Sequence, residues 1–212
     1  MHMMIPPIPP NEPKRLKVLW QYEVLDTVPE EVFDDLTELA ARICEAPIAM
    51  ISLVDEDRQW FKSKIGITLS ETSRDISFCA YAITQPGLFI VPDAAQDRRF
   101  SNHPFVIAEP NIRFYAGAPL ITPDGHALGT LCVLDKVPRE LTHDQRQALR
   151  VLAHHVVSQL ELRRHSRQLR SFRRQSARLQ RDLDKARAQL TAARRKKKPA
   201  RGRRTKPKKA RR

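Results

Sequence analysis
The chain has 212 residues, 41% of them hydrophobic, and a formal charge of +14 at pH 7. That is enough for one or two domains with a buried core, and no apolar run is long enough to span a bilayer as a helix. Three cysteines, Cys44, Cys79 and Cys132, stand far apart with no CxxC spacing, which argues against a disulfide framework and against a zinc site built on cysteine pairs.

The start, MHMMIPPIPPNEP, reads as an extended, mobile head over residues 1–12. It lacks the charged-then-apolar layout of a secretion signal, so cytoplasmic residence is expected. Leu16, Leu19, Trp20 and Val24 then recur at helical spacing. After the break at Asp26–Glu30, an amphipathic helix is predicted over Pro29–Glu45, with Val32, Leu36, Leu39, Ala40 and Ile43 as its apolar stripe. From Ile48 to Gly66 the runs IAMISLVD and WFKSKIG flank an acidic turn and read as a hairpin. SRDISFCAYAIT reads as a short helix, GLFIVPDA as a strand, and AQDRRFSNHPFVIAEPN as a structured loop with one helical turn.

Arg113–Asp135 reads as a second hairpin turning at Pro123-Asp124-Gly125. Neither of its runs alternates cleanly, so both sheet faces are expected to be covered. Arg113, Tyr115 and Gly117 share one face. A cation, a phenol and a gap beside a Cys-bearing strand describe either a ligand pocket or a sheet edge.

From Thr142, a candidate N-cap, one helix is predicted to about Arg195. Leu149, Leu152, Val156 and Leu160 form a face that packs on the sheet. Beyond them Leu162, Leu169, Ser176, Leu183 and Leu190 recur every seven residues beside His165, Phe172, Leu179, Ala186 and Ala193. Arginines crowd the flanks of this seam, so it reads as a weak dimer helix or one that awaits an acidic partner.

Charge divides along the same boundary. Residues 1–160 hold 15 Lys+Arg against 21 Asp+Glu, and residues 161–212 hold 23 against 3, so a mildly acidic body carries a strongly basic appendage. Arg194–Arg212 holds 13 basic residues among 19 and no aromatic one, and the tail over 196–212 is expected to be disordered alone. Arg194, Arg195, Lys196, Lys197, Lys198, Arg201, Arg203 and Arg204 are its candidate polyanion-binding residues. Non-specific nucleic acid is the favoured partner over an anionic membrane surface.

Several ordered motifs go beyond these patterns. VLDTVPEEVFDDLTELAARICEAPIAMISLVDEDRQWFKSKIG, SRDISFCAYAI, VPDAAQDRRFSNHPFV, IRFYAGAPL and GTLCVLDKVPRELT together resemble the GAF domains that precede histidine kinases and diguanylate cyclases in bacteria. The resemblance covers about Leu16–Arg163. It implies an α/β (α+β) fold: an antiparallel six-stranded sheet with helices on both faces, followed by the long C-terminal helix and basic tail. The organisation expected is a domain over 13–163, a basic coiled-coil-like helix over 164–195 and the tail.

By the same resemblance the FYAGAPL strand is central, and one face looks into a pocket roofed by RDISFCAYAI and the Asp93–Ile107 loop. Arg74, Phe78, Cys79, Tyr81, Arg113, Tyr115 and Cys132 are the pocket candidates, facing a small-molecule ligand that the resemblance does not name. For Arg113 the competing role is to pair with Asp93 or Asp97 and pin that loop. Terminal helices of such modules commonly pair, so a homodimer is expected.

Other chemistries each lack part of the residue set they need. Cys79 in SFCAYA stands where GAF-type free-methionine sulfoxide reductases carry one cysteine, but the nucleophilic cysteine of their loop has no counterpart in VPDAAQDRRFSNHPF. Core packing is the competing role of all three thiols. Phytochrome-type bilin attachment uses Cys-His, whereas Ala80 and Tyr81 follow Cys79. The Asn-Lys-Phe-Asp-Glu signature of cyclic-nucleotide GAF domains is missing. His143, His154 and His165 are spaced too widely along a helix for one metal ion. No catalytic set is complete, and the expectation is a non-enzymatic sensor. The alternatives are a thiol-dependent reductase and a nucleic-acid-binding protein with a GAF scaffold.

Overall fold
The computed structural model describes residues 4–196, with side chains through Gln189. Two units are distinguished, Met1–His165 and Ser166–Arg212. In the first, the elements run α1 (Glu12–Gln21), α2 (Glu31–Cys44), β1 (Ile48–Val54), β2 (Arg58–Ile65), β3 (Glu71–Ser73), α3 (Phe78–Ala82), β4 (Phe89–Val91), α4 (Pro104–Ile107), β5 (Phe114–Ile121) and β6 (Ala127–Asp135). The final helix, α5, spans His143–Lys196.

The six strands form one antiparallel sheet in the order β3-β2-β1-β6-β5-β4. Its centre is therefore β1 and β6. The FYAGAPL strand, expected to be central, is β5 and lies one place from the edge, because the short strand β4 alone covers its outer side. The short edge strand β3 has no apolar run to announce it. Gly129 permits the central pairing, since a Cβ there would stand 1.9 Å from the Ser52 carbonyl oxygen on β1.

Strand alternation then sorts the core into two halves. Ala49, Ile51 and Leu53 on β1, Leu131 and Val133 on β6, and Phe114, Ala116 and Ala118 on β5 face α1, α2 and the root of α5. Met50, Cys132, Leu134 and Tyr115 face α3, α4 and the segments around them. Both faces are covered, which is why these strands lack an apolar–polar alternation.

The first face depends on helices whose phases differ in part from the expectation. In α1, Leu16 and Leu19 are buried, but Trp20 is half exposed and donates its indole N–H to Asp55. Of the stripe predicted for α2, Ala40 is buried and Leu36 packs against the core, but Val32, Leu39 and Ile43 are solvent-facing, and Phe33, Thr37, Ala41 and Cys44 are buried in their place. Two polar contacts set this rotation. Ser63 on β2 donates to Asp34 at 2.7 Å, and the wholly buried Lys62 ammonium donates to Glu30 at 2.7 Å. With those carboxylates turned to β2, Phe33 and the small residues Thr37, Ala40, Ala41 and Cys44 meet the sheet face formed by Ile51, Leu53 and Leu131.

α5 starts in a reciprocal cap, Gln145 N–H to the Thr142 hydroxyl and Thr142 N–H to the Gln145 side chain. Its predicted inner face is the observed one: Leu149, Leu152, Val156 and Leu160 are all buried. Ahead of α1, Met4–Pro9 has no regular structure, yet Pro6 is buried and the Met4 carbonyl accepts from the Tyr81 hydroxyl at 2.6 Å. No helix among the described residues is long and apolar enough to cross a membrane.

Lys62 also donates to the Val28 carbonyl and to Thr27, and Glu30 accepts from Arg163 on α5. Glu30→Ala is expected to lower the unfolding free energy by about 2–3 kcal/mol, because it strands a buried ammonium. Lys62→Met in the same background should restore most of that loss, as measured by urea denaturation.

Candidate functional site
On the second face, β5 places Tyr115 and Gly117 on the side that Cys132 occupies on β6, and Gly117 pairs directly with Cys132. The gap that Gly117 leaves is not open. Tyr115 folds its own ring back across it, so that a Cβ on Gly117 would lie 2.2 Å from the Tyr115 hydroxyl oxygen. From there the hydroxyl donates to Cys79 Sγ at 3.4 Å and stands 3.5 Å from Thr130 Oγ1. Cys79 Sγ and Cys132 Sγ are 3.8 Å apart, and Cys132 also faces the Met50 carbonyl at 3.6 Å. Two thiols, a phenol and a hydroxyl thus meet in a fully buried cluster.

The helix that delivers Cys79 is short and held at its start. Ser77 caps α3 by accepting from Ala80 N–H at 3.0 Å, and its own hydroxyl donates to Gln59 on β2 at 2.5 Å. Gln59 in turn donates to Thr72 on β3. An aromatic cluster fills the space under α3: Phe78 stacks on Phe100 at 4.3 Å and on Tyr115 at 5.2 Å, and Phe89 tilts against Tyr115 at 5.9 Å. Arg99 lies over the rings of Phe89 and Phe100 at 4.8 and 5.3 Å. His103 closes the other side. Its Nδ1 accepts from Phe105 N–H and its Nε2–H donates to the Ile76 carbonyl at 2.7 Å, so the ring is held neutral and burial lowers its pKa.

What remains is a cavity of about 30 Å³, lined by Met50, Phe78, Cys79, Phe105, Tyr115 and Cys132 among others. That volume holds a water-sized molecule. Pockets for nucleotide-sized ligands are roughly tenfold larger.

Electrostatics distinguish the thiols. Burial disfavours a thiolate at Cys79, but hydrogen bonds from Cys132, Thr130, Tyr115 and Ser52 outweigh it and lower its pKa. Burial, and then Cys79, push Cys132 well up, and burial raises Tyr115 likewise. Cys44, on the other side of the sheet, is pushed by burial up to about 11.

Of the seven predicted pocket residues, Phe78, Cys79, Tyr115 and Cys132 line the cavity, and Tyr81, Arg74 and Arg113 do not. Tyr81 turns its hydroxyl to Met4 and its ring edge to Phe100. Arg74 is taken by Glu12 and by the carbonyls of Asp55 and Glu56, so it does not stand beside the Cys79 thiol as a charge that would activate it. Arg113 makes a bidentate pair with Asp93 at 2.7 Å through each nitrogen and pins the loop after β4. Thr130, His103 and Phe100 also belong to this half of the core, although their residue types alone do not mark them. The available signal was Pro104 directly after His103, since proline favours the first position of a helical turn and leaves the residue before it as the cap. Of the basic residues assigned to polyanion binding, Lys197, Lys198, Arg201, Arg203 and Arg204 lie outside the described residues, as do the side chains of Arg194, Arg195 and Lys196.

The model of the GAF domain family matches residues 28–160. Among curated proteins, a cyclic di-GMP phosphodiesterase of Pseudomonas aeruginosa is 47% identical over 137 residues, 65% of this chain; the chain spans only 23% of that protein's length. Among solved structures, the GAF domain of an Acinetobacter phosphoenolpyruvate-protein phosphotransferase superposes with a TM-score of 0.54 at 16% identity, covering 71% of this chain and 92% of that one. A domain of a two-component sensor histidine kinase protein from Sinorhizobium meliloti superposes at 0.53, also at 16% identity, covering 66% and 97%.

Gly117→Ala is expected to cost about 1–3 kcal/mol by driving the Tyr115 ring out of its seat, with a change in near-ultraviolet circular dichroism. Unchanged stability would show that the ring does not need this space. His103 gives a pH dependence. The unfolded chain takes up its proton near the ordinary value of 6.5, whereas the folded chain does so only at lower pH. Stability is therefore complete above about pH 6.5 and declines below it, by at most about 1.4 kcal/mol per pH unit. His103→Asn, which keeps a cap acceptor, should flatten urea midpoints measured from about pH 7.5 to 5.5 relative to the parent.

Proposed function
The chain belongs to the GAF domain family, and from that membership we propose a non-enzymatic signalling module that passes a conformational signal into its own C-terminal helix. The observation that carries this reading is the root of α5. There Tyr22 donates to Glu161, Arg164 lies over the Tyr22 ring at 4.7 Å, and Arg163 donates to Glu30 at 2.8 Å and to the carbonyls of Tyr22 and Glu23. Movement of α1, α2 or β2 is thereby coupled to the helix through short polar contacts. The small cavity supports transmission over capture of a nucleotide-sized ligand in this conformation. The likeness to part of a cyclic di-GMP phosphodiesterase supports a place in second-messenger signalling.

The second unit supports the output side of the proposal. Leu169, Phe172, Leu179 and Leu183 are exposed by 46–66%, and they fall on the heptad seam with Leu162. The occupant we assign to this seam is a second copy of the chain, because the repeat is self-complementary at a and d. Eight basic residues against two acidic ones in 166–189 oppose that pairing at low ionic strength. The basic end binds polyanions such as nucleic acid without sequence preference.

The two activities respond to salt in opposite directions. Light scattering of the full chain is expected to show the dimer fraction rising between about 0.05 and 0.5 M salt, and Leu169→Glu with Phe172→Glu should abolish it. DNA binding in a gel shift should fall over the same range and be lost without residues 194–212. A monomer at every salt concentration would overturn the paired-helix reading.

A further inference from the structure
We propose that Cys79 and Cys132 are an oxidisable dithiol, converted to an intramolecular disulfide by a small hydroperoxide that enters the cavity they line. This goes beyond the relay reading and does not depend on the dimer.

The geometry suits the reaction. The two sulfurs are 3.8 Å apart, on separate elements and 53 positions apart in sequence. A disulfide needs about 2.05 Å, a closure that rotation of both side chains and a small approach of α3 would supply. Both sulfurs line the same cavity of about 30 Å³. This admits a molecule the size of water or hydrogen peroxide and excludes bulky disulfides such as that of a tripeptide thiol. The surrounding groups also separate the roles. Cys79 Sγ accepts the Tyr115 O–H at 3.4 Å, a hydrogen bond that stabilises a thiolate at this sulfur, so Cys79 attacks. Cys132 points its S–H at the Met50 carbonyl at 3.6 Å, which keeps it a thiol, so it resolves.

The chemistry balances as follows. The Cys79 thiolate attacks one peroxide oxygen, the O–O bond breaks, and hydroxide leaves to take a proton as water. Cys79 is now a sulfenic acid. The Cys132 sulfur attacks the Cys79 sulfur, the S–S bond forms, the S–O bond breaks, and the departing hydroxide takes the Cys132 proton as a second water. Two thiols lose one electron pair and one peroxide gains it. The bond ties α3 to the central strand β6 and draws with it Tyr81, whose hydroxyl holds the Met4 carbonyl.

Cys44 serves as the internal control, being buried in the opposite half of the core. The full chain is treated under native conditions with stoichiometric hydrogen peroxide. The expected result is an intact mass lower by two hydrogens, a non-reduced digest joining the Cys79 and Cys132 peptides, and Cys44 unmodified. Tm should rise by about 5 °C or more, because a long loop is closed. Cys132→Ala should instead leave a Cys79 sulfenic acid that dimedone captures. The proposal is overturned if folded protein stops at an oxyacid of Cys79 with Cys132 free, if the bridge includes Cys44, or if the thiols react only after unfolding. Should the variant fail to fold, the digest of the parent protein decides alone.

Discussion
The fold of Tyr115 across Gly117 is the contact on which the second half of the molecule depends. Because residue 117 has no side chain, the phenol lies on the strand instead of standing off it. The ring then forms one wall of the aromatic cluster with Phe78 and Phe100, and its hydroxyl reaches a thiol instead of solvent. Three consequences follow from one missing Cβ: α3 sits close to the sheet, the interior is nearly filled, and two cysteines from distant parts of the chain are neighbours. A buried hydroxyl without a partner would be costly, and the surrounding Cys79 and Thr130 meet that need.

On the other face the organising contacts are ionic. Lys62 is wholly buried on a central-facing strand position and uses Thr27, Val28 and Glu30 as acceptors. Glu30 is shared with Arg163, so β2, the start of α2 and the root of α5 meet at one carboxylate. Exposed pairs such as Arg42–Glu38 contribute little by comparison, since both partners keep their water. A carboxylate bridging three elements specifies their relative rotation. It also explains why α2 turns Phe33, Thr37, Ala40, Ala41 and Cys44 inward: the polar contacts at Glu30 and Asp34 choose the phase, and packing follows.

Much of the site was legible only as a set of residue types. Tyr115, Gly117, Cys79 and Cys132 stood out because a phenol, a glycine and thiols are unusual neighbours in apolar strands. Period-two alternation correctly put Tyr115 and Gly117 on one face. What alternation does not carry is where a long side chain goes once there, so a gap was read where Tyr115 had already filled it. Arg74 and Arg113 were charges near the right motifs, but their partners Glu12 and Asp93 are set by chain paths through space. Trp20, Val32, Leu39 and Ile43 failed for a related reason. Hydrophobicity alone does not carry the helix phase, which polar contacts to distant residues set: Trp20 to Asp55 on α1, and Glu30 and Asp34 to Lys62 and Ser63 on α2.

By itself the sequence determined the local order: the two hairpins, the capped long helix, the split between an acidic body and a basic extension, and, through its ordered motifs, the family. Those features rest on spacing between near neighbours, on turn chemistry and on charge, all of which act over a few residues. Tertiary structure alone decided the strand order with β1 and β6 at the centre, the rotation of α2, and the meeting of Cys79 with Cys132. Each of these is a competition for the same limited volume among groups far apart in the chain, and close packing settles it only when all of them are present together.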